Sequence, residues 1–164
     1  MIEILDALGA SPIGDFMATN AAAFPAVETV HVMAITTVIG LIVIVDLRLI
    51  GLAAISYPIT RLSRALLPAT WIAFILSVIT GALLFSTQPV TYFGNTAFRI
   101  KMLLILLAGI NMLVFHRISM RSIASWDRDA PVPARARLAG LLSLVIWVAV
   151  VACGRWIGFT TAPF

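Results

Sequence analysis

Glu28 and His31 stand three residues apart, the spacing that places two side chains on one helix face about a turn from each other. A carboxylate so placed can orient and charge the imidazole, or the two can share a metal ion. Glu-x-x-His is also the repeat of carboxylate di-metal bundles, but those need two such motifs with further glutamates, and this chain has one. A single metal would have to recruit Asp15, Met33 or a second chain. Two readings of Glu28 and His31 stay open: a structural ion-pair network with Lys101 or Arg155, and a ligand or proton site. His116 is the other histidine. Together His31 and His116 are the candidate metal ligands and raise b-type haem, since imidazole is a common axial ligand and bundle interiors hold cofactors.

The remaining polar residues inside apolar sequence fall into two groups. Toward one end are Glu28, His31, Arg99, Lys101, Arg155 and Trp156; toward the other are Asp46, Arg48, Trp71 and His116. Ionisable groups in a membrane span cost about 2.5 to 3.5 kcal/mol on insertion scales, so each needs a partner, water or a ligand. Asp46 and Arg48 are two residues apart and lie on different helix faces. Arg48 is expected to snorkel to the headgroups, and Asp46 to find an interhelical partner in His116 or Arg117. Asn111 reads as an interhelical hydrogen-bond post. Thr36, Thr37, Ser77, Thr80, Gly81, Gly109 and Ser143 read as small residues that let helices approach. For haem, depth is the test: about 15 residues at about 1.5 Å each put His31 and His116 about 20 Å apart in depth, too far to bridge one macrocycle. Each histidine would have to hold its own haem, with Met102 or Met112 as conceivable second ligands. Quinone asks for less: an apolar cleft, a His or Asp that exchanges a proton, and an aromatic lid, which Tyr92, Phe93 and Trp156 can supply. The same aromatic residues also suit an interfacial belt.

These side chains need elements to hold them, and the composition decides which. The chain has 164 residues, of which 62% are apolar and 11% charged, with a mean hydropathy of +1.09. A soluble fold of this size has too much surface to hide that much apolar side chain. The expected fold is therefore an all-α integral membrane protein, a four-transmembrane-helix bundle. Four runs are long enough to cross about 30 Å of hydrocarbon: roughly 26–51, 66–87, 97–120 and 135–159. Pro25 suits the first turn of the first, and Pro68 is expected to open the second. The polar loop SWDRDAPVPARAR precedes the fourth. Residues 1–24 carry Glu3, Asp6 and Asp15 but no basic residue, unlike a cleavable signal peptide. Their apolar positions allow short amphipathic helices on the outer surface. Residues 25–160 form the transmembrane domain.

Lys plus Arg number 11 against 7 acids, a formal charge of +4, which in a soluble chain would suggest nucleic acid. Here the cations mark helix ends, so no nucleic-acid partner is expected. Arg48, Arg61, Arg64, Arg117, Arg121, Arg128, Arg135 and Arg137 fall on one face of the bilayer, and Arg99, Lys101 and Arg155 on the other. By the positive-inside rule the first face is cytoplasmic, and an even number of spans puts both termini outside, the periplasm if the host is a bacterium. Cys153 is the single cysteine, so there is no disulfide framework. A phosphate-cradling glycine loop, His-Glu-x-x-His, a Ser/His/Asp set at one depth and an arginine-repeat voltage sensor are all missing. A primary pump or hydrolase is therefore not expected.

The segments FPAVETVHVM, DLRLIG, TGALLF, NTAFRIKMLLILLAGINMLVFH and GRWIGF together resemble an uncharacterised family of small four-helix bacterial inner-membrane proteins. The resemblance covers residues 24–159. It implies the topology and a special place for Glu28, His31, Asp46, Arg48, Lys101, Asn111, His116 and Arg155, but no activity. More loosely, Gly154-Arg155-Trp156 and the histidine of the first span look like features of copper-resistance membrane proteins and of four-helix b-type cytochromes. The chain lacks the several histidines of the cytochromes and any Met/His-rich copper stretch. The function expected is a membrane subunit that binds a redox cofactor or lipid-like ligand, haem b or quinone, in an electron-transfer accessory role. Glu28, His31, Lys101 and Arg155, with Trp156, would form its outer site. The alternatives are a non-catalytic transmembrane subunit that forms a homo-oligomer or anchors a larger complex, and a copper-type metal permease.

Overall fold

The computed structural model describes residues 1–127 and 131–161; Arg128, and the side chain of Arg121, lie outside them. Among the described residues four helices are long and apolar enough to cross a membrane, which makes this a multi-pass membrane protein. In chain order the helices are α1 (Ile2–Gly9), α2 (Pro12–Thr19), α3 (Ala23–Ile50), α4 (Ile59–Thr87), α5 (Pro89–Gly94), α6 (Thr96–Val114) and α7 (Ala134–Thr161). After α6 the chain makes a π-helical turn, Phe115–Ser119, and a 3-10 turn, Met120–Ser125. The spanning helices are apolar nearly all round, as lipid requires of a helix that shows it several faces.

Local chemistry sets the ends of these elements. Asn20 accepts from the amides of Ala22 and Ala23, at 3.0 and 3.1 Å, at the start of α3. Pro25 falls within the first turn, where its missing donor costs nothing. Gly51 stops the helix with a φ of +88°, a left-handed conformation in which an L side chain would be strained. Asn95 caps α6 by accepting from Ala97 and Phe98. The second span departs from expectation. It begins at Ile59, so Pro68 lies inside α4 instead of opening it. Pro68 deprives the Arg64 carbonyl of its usual helical donor, an irregularity that a membrane helix tolerates where neighbours or a local adjustment satisfy the freed group.

The four long helices pack in the order α4, α3, α7, α6, with α3 on both α4 and α7, and α6 on α7. One end of the bundle carries the termini: α1 packs on α5, and α2 on α4 and α3. The other carries the basic residues of the α3–α4 and α6–α7 connections, and we call it the basic end. There Leu49, Ile59, Phe115, Trp126, Val132 and Ala136 form a buried apolar cluster. Arg48 does not snorkel. Only 4% of it is exposed, and it donates from Nε to the Tyr57 carbonyl at 2.8 Å and from a terminal nitrogen to the Asp127 carbonyl at 3.3 Å. A buried guanidinium has five donors to satisfy, and two loop carbonyls within reach satisfy it better than a long path to the headgroups. Asp127 in turn accepts from the Thr60 amide at 3.0 Å, so a loop carboxylate caps α4 from across the connection.

Candidate functional site

The expected outer cluster is only partly assembled. His31 Nδ1 lies 2.9 Å from the Thr80 hydroxyl on α4. That hydroxyl already donates to the Leu76 carbonyl, so it accepts from His31, and Nε2 is left as the acceptor nitrogen. Gly81 makes room for the ring: a Cβ there would sit 3.0 Å from His31 Cε1. Lys101 on α6 reaches α7, with Nζ 3.7 Å from where a Gly154 Cβ would stand, and its charge acts on both His31 and Cys153. Glu28 is exposed, and its electrostatic neighbour is Tyr92. Arg155 is also exposed and lies over the Phe159 ring, 5.2 Å from its centroid, while Trp156 faces outward. The structure thus joins His31 to Thr80 and Lys101, and leaves Glu28, Arg155 and Trp156 on the rim. Among the described residues no three of His, Cys, Asp and Glu converge as metal ligands.

The inner group is the better-built site. A cavity of about 250 Å3 lies in the basic half of the bundle, lined by all four spanning helices. Its walls are apolar and aromatic, with Trp71 and Phe74 from α4, Met112 and Phe115 from α6 and the turn after it, and Trp147 from α7. Asp46, Asn111, Ser143 and His116 are polar residues of the same lining. Helix α3 supplies Asp46, of which only 5% is exposed. Its polar neighbour is the Ser143 hydroxyl of α7, not His116 or Arg117 as the sequence had suggested. His116 is drawn away because its Nδ1 donates to the Met112 carbonyl at 3.0 Å, one turn back on its own helix. The second oxygen of Asp46, Oδ2, has no hydrogen-bond partner at all. A buried carboxyl oxygen left unmatched is costly in an apolar setting, so such groups carry a reason to be there.

Asn111 donates from Nδ2 to the Ala139 carbonyl at 2.9 Å, the interhelical post expected of it, and thereby ties α6 to α7 beside the cavity. Gly109 lines the cavity with nothing within 4 Å of where its Cβ would be. Sequence reasoning assigned Gly109 and Ser143 to packing alone and did not single out Trp147. Depth was the available signal: Asp46, Asn111 and Ser143 each lie in the half of their span nearest the basic end, which groups them once the helices are set antiparallel. The π-helical turn that carries His116 is a further sign, since such turns recur at functional sites.

The family of unknown function DUF6644 matches residues 8–160 of the chain. No curated protein matches, and no solved structure does.

Proposed function

This chain belongs to DUF6644, a family of unknown function, so its activity has to be argued from the site, and we propose that it is a membrane subunit binding a lipid-soluble ligand of the quinone class in the inner cavity. A buried carboxyl group beside an aromatic-lined cavity within a membrane span, Asp46 with its Oδ2 unpartnered, carries this reading. Cavities that are mostly apolar with a few convergent polar groups are the usual form of a small-molecule site. A carboxyl group is well matched to a quinone in both redox forms. As the acid it donates to a quinone carbonyl, and as the carboxylate it accepts from a quinol hydroxyl. Ser143 steadies the carboxyl, Trp71, Phe74 and Trp147 offer faces for a flat ring, and His116 stands at the rim as a second proton-exchanging group. Electrons would come from or pass to a partner protein, which makes this an accessory role.

The site belongs to the inner group, so His31, Lys101 and Arg155 are assigned to helix positioning and the membrane rim. We further propose that the protein sits in a bacterial inner membrane with its basic end in the cytoplasm, following the distribution of arginines. Trp71 and Trp147 provide the test, because a bound quinone quenches nearby indole fluorescence. The protein in lipid nanodiscs is expected to show saturable quenching by decylubiquinone that Asp46→Asn weakens. Absence of saturable quenching sinks the reading. An absorption spectrum of the same sample, before and after dithionite, checks the haem alternative, since a Soret band that shifts on reduction would replace quinone with haem.

A further inference from the structure

Three sides of the bundle are closed by helix packing and the fourth is not. Helix α4 packs on α3, α3 on α7 and α7 on α6, whereas α4 and α6 do not pack against each other along their length. They meet at the end that carries the termini, through an aromatic clasp. Phe85 of α4 stacks on Phe98 of α6 with centroids 5.3 Å apart and planes 16° from parallel, and Tyr92 of α5 leans on both rings at 6.2 and 6.1 Å. At the basic end the Trp126 cluster and the Arg48 bonds to the Tyr57 and Asp127 carbonyls seal the bundle toward water. Between these two closures the cavity is lined on one side by α4 and α6, the two helices that do not pack on each other. Trp71, edge-on to Phe74 at 5.9 Å and 45% exposed, flanks this gap on α4, and the exposed His116 flanks it on the π-helical turn after α6.

We infer that the slot between α4 and α6 is a lateral doorway through which a bilayer-dissolved, flat-headed amphiphile enters with its polar head toward Asp46 and its tail left in lipid. The inference rests on the cavity being a ligand site, and it adds the route and therefore the class of ligand. A molecule arriving from water would have to cross the Trp126 cluster or the aromatic clasp, and both are packed shut. One arriving from the bilayer meets side chains only at the rim. The geometry also explains why the unmatched acid lies at the floor: Asp46 is on α3, the helix opposite the slot, so a head group has to pass fully inside before it finds a partner.

Stapling the slot tests the doorway. In a Cys153→Ser background, Ile75→Cys on α4 and Leu106→Cys on α6, both exposed and outside the cavity lining, are joined by cleavable bifunctional maleimides of graded length, and Phe85→Cys with Phe98→Cys gives a staple across the clasp for comparison. The protein in vesicles is mixed with vesicles containing decylubiquinone, and the rate of tryptophan quenching is followed. The slot staple is expected to slow entry by about tenfold or more, as closing a required opening does, and cleavage of the linker to restore it. The clasp staple is expected to leave the rate as it was. An unchanged rate with the slot stapled overturns the doorway while leaving the binding site standing. No quenching in the unstapled protein overturns both. Linkers that join two chains in place of α4 to α6 show that a second copy covers the slot, and this outcome also overturns the doorway.

Discussion

At the scale of single residues, the informative positions are those whose chemistry disagrees with their surroundings. Asp46 is the clearest, since its Oδ2 is buried without a partner in a span where every other constraint favours apolar side chains. If the carboxyl is kept for a ligand, removing it helps the fold and harms the function. Asp46→Leu is expected to raise the melting temperature in detergent, equivalent to about 1 kcal/mol or more, because an unmatched buried polar group costs about that much. The same variant is expected to abolish saturable quinone quenching. A variant that melts lower than the parent would show that Asp46 is a structural lock. Gly109 offers a complementary probe. A Cβ there meets nothing within 4 Å and the residue lines the cavity, so Gly109→Leu is expected to intrude on the space and to gain helix propensity. Its expected signature is full stability with no quinone binding. Gly140 is the opposite case. A Cβ there would lie 3.1 Å from Leu49 Cβ and 3.2 Å from the Asp46 carbonyl, so Gly140→Ala is expected to cost about 1 to 3 kcal/mol by forcing α3 and α7 apart, read as a lower thermal midpoint.

At the scale of elements, the connections at the basic end are held by charge. Partial burial pushes the Asp127 carboxyl up, but hydrogen bonds from the Thr60 hydroxyl and amide and from the Ile59 amide, with the Arg48 charge close by, outweigh burial and hold it below the usual carboxylate range. A depressed folded value means stability that is complete above the unfolded pKa, near 4, and lost as pH falls through the folded one. The amides of the α3–α4 connection and the first turn of α4 are therefore expected to have lower protection factors, exchange rates corrected for intrinsic pH dependence, below about pH 4 than at pH 6. Asp127→Asn should show the lower protection already at pH 6, and equal protection in parent and variant at pH 6 would dismiss the cap. This element was not legible beforehand. Asp127 sits in a Pro-rich polar stretch that reads only as a loop, and its partner Thr60 is far away in sequence. The spans themselves were legible because lipid demands a long apolar run whatever the neighbours. The start of α4 was not, because a proline ends a soluble helix more reliably than a membrane one. Nor was the face on which Asp46, Ser143 and Asn111 meet. A helix that is apolar nearly all round carries little periodicity to say which stripe looks inward, so the chain announced the odd residues but not their partners.

At the scale of the whole molecule, the charge asymmetry and the open slot combine. Of the 11 Lys and Arg residues, eight fall by sequence in or beside the α3–α4 and α6–α7 connections and three near the opposite ends of the spans. On the orientation proposed above, the basic end faces the cytoplasm and both termini lie across the membrane from it. The cavity lies in the same half as the arginines, so its doorway would open to the cytoplasmic leaflet, and a proton taken up or released at Asp46 would have its shorter route on that side. The orientation is checked by fusing reporters to the C-terminus after Phe164. A periplasmic phosphatase fusion is expected to be active, and a fluorescent protein that matures only in the cytoplasm to stay dark. The reverse pattern would turn the molecule over. The asymmetry rather than any one arginine should carry this orientation, because the rule counts positive residues near span ends. Arg61→Gln with Arg64→Gln leaves six cations at the basic end against three at the other, and is expected to keep the termini outside. Adding four lysines after Asn20 to that variant would make the balance six against seven. A mixed population of the two orientations is then expected, read as partial activity of both reporters. Persistence of a single orientation would show that helix packing, not charge, decides which way the bundle faces.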